Sequence, residues 1–154
     1  MITRLLLNPL RDQPFNHSGI KQCRCIAEIL EVVCRDLFQN TAHDLSAVIL
    51  LKSHVDIVSD GLRTKYNFTG NPGMTVGGTG DVLSGIVAAF LAQSADPFEA
   101  AVAGAYVNGA AGDFAKAEKG YHMVATDLLD WIPKILDDPM CHLKIKEESI
   151  LQRY

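Results

Sequence analysis

The sequence has no basic block. Its 14 Lys and Arg are scattered among 18 Asp and Glu, for a net charge of −4, so it lacks the positive face that a nucleic-acid partner requires. A polyanionic ligand must then be met locally, by backbone N–H groups, and not by a general field. Long hydrophobic runs are also missing. The longest, Val82 to Ala92, is broken by Ser84 and Gly85 and is too short to span a bilayer. The opening MITRLLLNPL carries one Arg and a brief apolar run with no small-residue cleavage site, so the expectation is a cytoplasmic protein. Metal-ligand spacing is absent as well. Cys23-x-Cys25 has no second Cys pair beside it, Cys34 and Cys141 stand apart, and the five His are scattered, which points to small half-buried thiols in a reducing compartment. Neither internal repeats nor a low-complexity linker occur. What remains is 154 residues, 48% hydrophobic and 21% charged, the make-up of one globular domain with one core.

Hydrophobic patterning gives a coarse order of elements. Ile2 to Leu7 reads as a buried strand ending at Asn8-Pro9. Ser18 caps a helix to about Gln39, with Ile26, Leu30, Val33 and Leu37 on one face; Asn40 to Ser46 reads as loop. Ala47 to Leu51 is continuous and apolar, as in a central strand covered on both faces. Asp56 to Ser59 and Thr64 to Phe68 flank Asp60-Gly61, a hairpin signal. Asp81 to Gln93 reads as a helix. In the next helix Asp96 is the N-cap, Pro97 the first helical residue and Glu99 the partner in a capping box. That helix runs to Lys119, stops at Gly120 and is so rich in Ala and Gly that close packing against another element is expected. Thr126 caps a last helix over Asp127 to Leu136, bent or ended by Pro133. Pro139 to Tyr154 reads as a loosely attached tail. Strand, helix, hairpin and stacked helices together predict an α/β layered domain.

Five glycines fall between positions 70 and 80: Gly70, Gly73, Gly77, Gly78 and Gly80. Such a cluster loses backbone entropy on folding, so it needs a reason. Glycines let main-chain N–H groups approach an anion. The helix that follows places Gly77 to Gly80 at its positive end, where the free amides suit phosphate oxygens. The loop is neither a P-loop nor GxGxxG. Asp81 is odd beside a phosphate, because it adds like-charge repulsion. A divalent cation relieves that repulsion, and so does a role in taking the proton of an attacking hydroxyl; a plain N-terminal aspartate is the alternative.

The run Asn67-x-Thr69-Gly70-Asn71-Pro72-Gly73-Met74-Thr75-Val76-Gly77-Gly78-Thr79-Gly80-Asp81-Val82-Leu83-Ser84-Gly85 closely resembles the signature of the ADP/ATP-dependent NAD(P)H-hydrate dehydratases, the YjeF C-terminal family of the ribokinase-like superfamily. The resemblance continues through Asp96-Pro97-Phe98-Glu99-Ala100-Ala101, Asn108-Gly109-Ala110-Ala111-Gly112-Asp113 and Thr126-Asp127-Leu128-Leu129, covering roughly residues 47 to 136. It implies a partial ribokinase-like layered fold over residues 1–138, a central β-sheet flanked by α-helices, with 139–154 as a C-terminal tail. It also implies repair of hydrated NADH and NADPH, by nucleotide-dependent phosphorylation of the ring hydroxyl and elimination of phosphate. By the same resemblance Gly77, Gly78, Thr79 and Gly80 form the anion hole, Asp81 contacts the substrate hydroxyl as base, and Asn71 and Gly73 shape the nucleotide side of the loop. The family's Lys-Gly-x-x-x stretch, which lines the adenine nucleotide, corresponds to Lys52-Ser53-His54-Val55-Asp56. ADP or ATP with Mg²⁺ is the implied cofactor set.

The chain departs from the family in three places. It is short, which implies a fragment, a mis-started reading frame or a partner chain that completes the fold, and the Ala/Gly-rich helix suits a homo-oligomer interface as well as a buried contact within the chain. Asn8-Pro9-Leu10 stands where Thr-Pro-His or Thr-Pro-Asn is usual, with Gln13 in place of an acidic residue. Lys52-Ser53 replaces Lys-Gly, which brings a side chain toward the nucleotide. A ribokinase-like kinase for a small alcohol and a non-catalytic nucleotide-binding remnant are the alternatives. His54, His122, Tyr66 and Tyr121 lie near the site segments but read more simply as surface or packing residues, and Trp131 reads as core. Asn108 and Asp113 read as structural hydrogen-bonding residues of a packed helix, with lining the site as the alternative.

Overall fold

The structure, a computed structural model, describes residues 36–143 apart from Ser94. The expected strand at Ile2 to Leu7, the helix start at Ser18, Cys23, Cys25, Cys34, and the departures at Leu10 and Gln13 lie outside the described residues.

A helix, α1, covers 36–45 and so ends later than the Gln39 that the sequence suggested. Its polar residues His43 and Asp44 are exposed and Ala42 is fully buried, so the polar stretch is the outer face of a helix and not a loop. Thr41 Oγ1 donates to the Leu37 carbonyl (2.7 Å). The helix ends where Ser46 turns left-handed at φ 49° and donates its N–H to His43 O at 3.0 Å.

Three antiparallel strands follow: β1 (Ile49–Leu51), β2 (Asp56–Ser59) and β3 (Thr64–Asn67), in the order β1-β2-β3. Ile49 faces Ser59 across the first pair and Ser59 faces Thr64 across the second. Among the described strands, the Ala47 to Leu51 segment is therefore not the central one. Its strand, β1, lies at the edge of the described sheet and is half-buried, whereas every residue of β2 is buried. Continuous apolar character marked a buried neighbourhood but did not say which strand takes the middle. The hairpin turn is real but spans Asp60 to Arg63. Asp60 Oδ1 accepts the N–H groups of Leu62 and Arg63 (2.9 and 2.6 Å), and these bonds hold its carboxyl low, at about 2. Arg63 then reaches Asp96 (3.2 Å) and Glu99 (3.4 Å) and lies over the Phe98 ring.

The helices carry the core. Helix α2 spans Thr79–Ala92, helix α3 Pro97–Lys119 and helix α4 Ile132–Asp137. Asp96 caps α3 as expected, accepting from the N–H groups of Phe98 and Glu99. The reciprocal half of the capping box is not made: the Glu99 carboxylate turns to Arg63 instead. The Ala/Gly face of α3 is buried within the chain. A Cβ on Gly104 would sit 2.5 Å from Val87 of α2, and one on Gly109 would sit 2.1 Å from Thr69 Oγ1, so α3 approaches its neighbours closer than any larger side chain allows. Ile86, Val107, Ala111, Leu128 and Ile135 fill the space between helices, with Phe114 and Trp131 stacked at its margin.

The expected last helix is two pieces. A 3-10 turn covers Ala125–Leu128 and α4 begins only at Ile132. The cap comes from Asp127, not Thr126: its carboxylate accepts Val124 N–H (2.8 Å) and pairs with Lys119 (2.7 Å). Pro133 neither bends nor ends α4. It stands in the first turn, where a residue without an N–H costs nothing. Residues 139–143 are not loose. Tyr106 donates its hydroxyl to Pro139 O, and His142 is 1% exposed and bonded to Asp113 on α3.

Among the described residues no helix is long and apolar enough to cross a membrane.

Candidate active site

Residues 67 to 80 form a loop laid along α3, and nearly every contact is specific. Asn67 Nδ2 donates to Ala105 O and Asp56 Oδ2, both at 3.1 Å. Thr69 Oγ1 lies 3.2 Å from Tyr106 O. Gly70 N–H donates to Asp113 Oδ2 (3.1 Å), and Asn71 Nδ2 donates to Gly112 O (2.9 Å) and Asp113 Oδ1 (3.0 Å). Asn71 Oδ1 accepts Gly73 N–H (3.0 Å) and so caps the 3-10 turn Pro72–Thr75. This turn seats Met74 against Gly112 and delivers the chain to the start of α2.

Gly78 is the N-cap of α2 at φ 96°, a conformation that side chains resist. Its carbonyl accepts the N–H groups of Asp81 (3.0 Å) and Val82 (3.1 Å). The amides of Gly77, Gly78, Thr79 and Gly80 have no acceptor among the described residues, as helix geometry requires of a first turn. Gly77 and Gly80 have nothing within 4 Å of where a Cβ would stand. Packing therefore does not demand glycine at either position; the space in front of their amides is open. Four free donors at the positive end of a 14-residue helix are an arrangement that suits an anion.

Lys52, just past β1, enters the same place. Its ammonium donates to Thr79 Oγ1 at 3.2 Å, while the Thr79 hydroxyl lies 2.9 Å from Met74 O. This bond joins the two segments the sequence singled out, 27 residues apart, and puts a positive charge at the hole. Asp56 folds the connecting segment: its Oδ1 accepts Ser53 N–H (3.0 Å) and its Oδ2 accepts from Asn67. Both oxygens are engaged inside the protein, so Asp56 shapes the wall and does not present charge. Ser53 and His54 are exposed on that wall.

Together these residues line a cavity of about 700 Å³, bounded by Lys52, Asp56, Thr69, Asn71, Gly77 to Gly80 and Asn108, a size suited to a nucleotide. Of the expected site residues, Val55, Gly73 and Asp81 are absent from this lining. Gly73 acts behind it, through its N–H bond to Asn71 and its packing on Met123. Asp81 follows the lining residue Gly80 in the chain and is exposed, with no hydrogen bond or ion pair to its carboxylate among the described residues. His122, Tyr66 and Tyr121 do not line the cavity, and Tyr121 lies under Lys116 instead. A larger groove of about 850 Å³ runs along β1 and α2 and shares only Lys52 and Gly80 with the site. Its walls, Val48, Leu50, Leu83, Val87 and Leu91 among them, are aliphatic and offer little to a phosphate.

Asp113 proves structural. Burial pushes its carboxyl up, but hydrogen bonds from His142, Asn71 and Gly70 more than offset this and hold it below the ordinary value. Asn108 proves otherwise. It is 2% exposed, lines the cavity, and its Oδ1 has no hydrogen-bond partner. The signal was available in the sequence: one amide side chain within a run of Ala and Gly on a buried helix.

Among the described residues there is no cluster of three His, Cys, Asp or Glu side chains able to hold a metal. A Mg²⁺ ion arriving on nucleotide phosphates needs only one or two carboxylates, and Asp81 is the free carboxylate beside the hole, so the residues present fit that mode.

Known proteins carry the same features. The family model described as NAD(P)H-hydrate dehydratase matches residues 23–134. The bifunctional NAD(P)H-hydrate repair enzyme Nnr of Pyrobaculum aerophilum is 48% identical over 119 residues, which are 77% of this chain and 23% of that protein. The ADP-dependent (S)-NAD(P)H-hydrate dehydratase of Cenarchaeum symbiosum is 47% identical over 100 residues, 65% of this chain and 35% of that one. Among solved structures, the ADP/ATP-dependent NAD(P)H-hydrate dehydratase of Bacillus subtilis, co-crystallized with ATP/Mg²⁺, superposes with a TM-score of 0.64 and 28% identity over 70% of this chain and 40% of its own. The chain thus spans about a quarter to a third of the length of these curated relatives, and its described part is a partial ribokinase-like α/β fold. With the matched residues reaching from 23 to 134 and enclosing the whole glycine loop, the chain belongs to the NAD(P)H-hydrate dehydratase family.

Proposed function

We propose that this chain carries the phosphoryl-transfer site of a nucleotide-dependent NAD(P)H-hydrate dehydratase. The observation behind it is the set of unpartnered amides from Gly77 to Gly80, with Lys52 on one side and the free carboxylate of Asp81 on the other.

ADP or ATP lies in the cavity with its terminal phosphate in the hole. The hydroxyl of the hydrated nicotinamide ring attacks that phosphorus, and Asp81 takes the hydroxyl proton as the O–P bond forms. The bond from phosphorus to the nucleotide breaks, and its electron pair leaves with the nucleotide. The amides and the Lys52 ammonium stabilise charge on the transferred group, in the way oriented donors do at phosphoryl centres. Mg²⁺ bound to the phosphates, when present, neutralises part of their charge. In the second half, the phosphate ester is a better leaving group than hydroxide. The ring loses a proton and phosphate departs with the C–O electron pair, restoring the double bond.

The test is recovery of nicotinamide absorbance when the protein is mixed with hydrated NADH, ADP or ATP, and Mg²⁺. Recovery that Asp81→Asn abolishes supports the reading. Nucleotide turnover without recovery transfers the site to a small-alcohol kinase, and nucleotide-induced thermal stabilisation with no turnover reduces it to a binding module.

A further inference from the structure

The segment after α4 is fastened to α3 at two residues. Tyr106 donates its hydroxyl to Pro139 O, and Asp113 Oδ2 accepts from His142 Nε2 at 2.7 Å. The imidazole is 1% exposed. It meets the Tyr106 ring edge-on and lies beside Phe114, at centroid distances of 5.9 and 6.5 Å. A polar ring buried this far is fixed by its packing and needs an acceptor for its donor; the acceptor is Asp113.

The same two α3 residues carry the start of the glycine loop. Tyr106 O accepts from Thr69 Oγ1 (3.2 Å). Asp113 accepts Gly70 N–H on Oδ2 (3.1 Å) and Asn71 Nδ2 on Oδ1 (3.0 Å). Thr69, Gly70 and Asn71 line the cavity, whereas Tyr106, Asp113 and His142 do not. From Asn71 the support continues. Its Oδ1 accepts Gly73 N–H and caps the turn Pro72–Thr75, and Met74 O in that turn accepts from Thr79 Oγ1. The line of support thus runs from His142 to the first turn of α2.

Among the described residues, three donors meet the Asp113 carboxylate, and two of them belong to the loop. A carboxylate held only by the groups it is meant to hold would move with them. His142 is the donor that fixes it from outside the loop. A site whose walls are fixed before the ligand arrives binds more tightly, because less ordering is charged to binding. His142 also lies beyond residues 23–134, over which the family model matches.

Resting on the nucleotide reading of the cavity, we propose that His142 is a positioning residue for nucleotide binding: through Asp113 it fixes the start of the glycine loop and couples the segment after α4 to the site.

The experiment measures ADP affinity of the intact chain by calorimetry, well below the melting temperature, beside thermal melts without ligand. His142→Phe keeps a ring and loses the donor; His142→Gln keeps an N–H donor. ADP is expected to bind roughly tenfold more weakly to His142→Phe and within about twofold of the parent to His142→Gln, even where both melt lower. Lowered melting temperatures with ADP affinity unchanged in His142→Phe make the contact structural only and overturn the proposal, as does an equal loss of affinity in both variants. The unmodified chain supplies a second measurement. The amides of Cys141 and Leu143, bonded to Asp138 O and Met140 O at 3.1 Å each, should exchange several-fold more slowly with ADP bound, the reciprocal of the same coupling. Exchange that ADP leaves unchanged overturns the proposal even if His142→Phe does not fold. Failure of ADP to bind the unmodified chain is a different result: it overturns the nucleotide reading, and the proposal with it.

Discussion

His142 Nε2 donates to Asp113 Oδ2 at 2.7 Å in a buried contact, and the same oxygen accepts the N–H of Gly70 at 3.1 Å. One carboxylate thus ties the segment after α4 to the start of the glycine loop. Replacing Asp113 with Asn leaves one oxygen where two accept from His142, Gly70 and Asn71, and sets an NH2 donor against the donors of the lost one. The expected loss is roughly 1–3 kcal/mol of stability, read by denaturant unfolding, with weaker nucleotide binding because the loop loses its tether.

The same carboxylate gives a pH dependence of definite sign. Its folded value is held below the ordinary one, so the unfolded chain binds the proton more readily. The stabilisation is fully present above about pH 4, the unfolded aspartate value, and is lost as pH falls through the lowered folded value. Unfolding free energies measured across the acid range should show a shallower slope in Asp113→Asn than in the parent. An unchanged slope would count against this assignment.

Two adjacent glycines should behave oppositely. Gly77→Ala meets open space and is expected to fold with stability within about 0.5 kcal/mol of the parent, yet to bind nucleotide poorly, because the new methyl stands in front of the hole. Gly78→Ala forces a side chain to φ 96° with Ala125 2.9 Å from the new Cβ, and should lose about 1–2 kcal/mol. Melting curves with and without ADP separate the two effects.

Lys52→Met removes the ammonium that reaches Thr79. The side chain is exposed, so the fold should persist. Nucleotide affinity should drop roughly tenfold, the size of one charge-assisted hydrogen bond, in a titration at fixed ionic strength. Asp81→Asn, by contrast, should leave binding near the parental value while turnover disappears.

Helix α3, the hairpin and the loop-to-helix transition at Gly78 were legible because each carries local chemistry: Asp96-Pro97 at one end and Gly120 at the other, Asp60-Gly61, and a glycine run before an apolar helix. The failures share a different cause. The strand at Ile49–Leu51 was placed in the middle, Glu99 in a capping box, Thr126 as a cap and Pro133 at a break. In three of them a contact outside the local pattern decided the outcome: β2 took the centre of the described sheet, Arg63 took Glu99, and Lys119 with Val124 took Asp127. The run of free amides before α2 was readable from spacing alone, since consecutive amides need no distant partner. Lys52 and Thr79, which meet in the structure, were joined in one site only through the family resemblance, and the buried Asn108 stood in a run of Ala and Gly that reads chiefly as packing.

The glycine loop is hung on α3 by Asn67, Thr69, Asn71 and Asp113 and braced within itself by Asn71 and Thr79. In kinetic language it is a preformed receptor. The ordering entropy is lost during folding and is not charged to the ligand, so association should proceed without a loop-closure phase, at a rate set by encounter and charge. The loop and the middle of α3 should also open together, as a single cooperative unit in amide exchange.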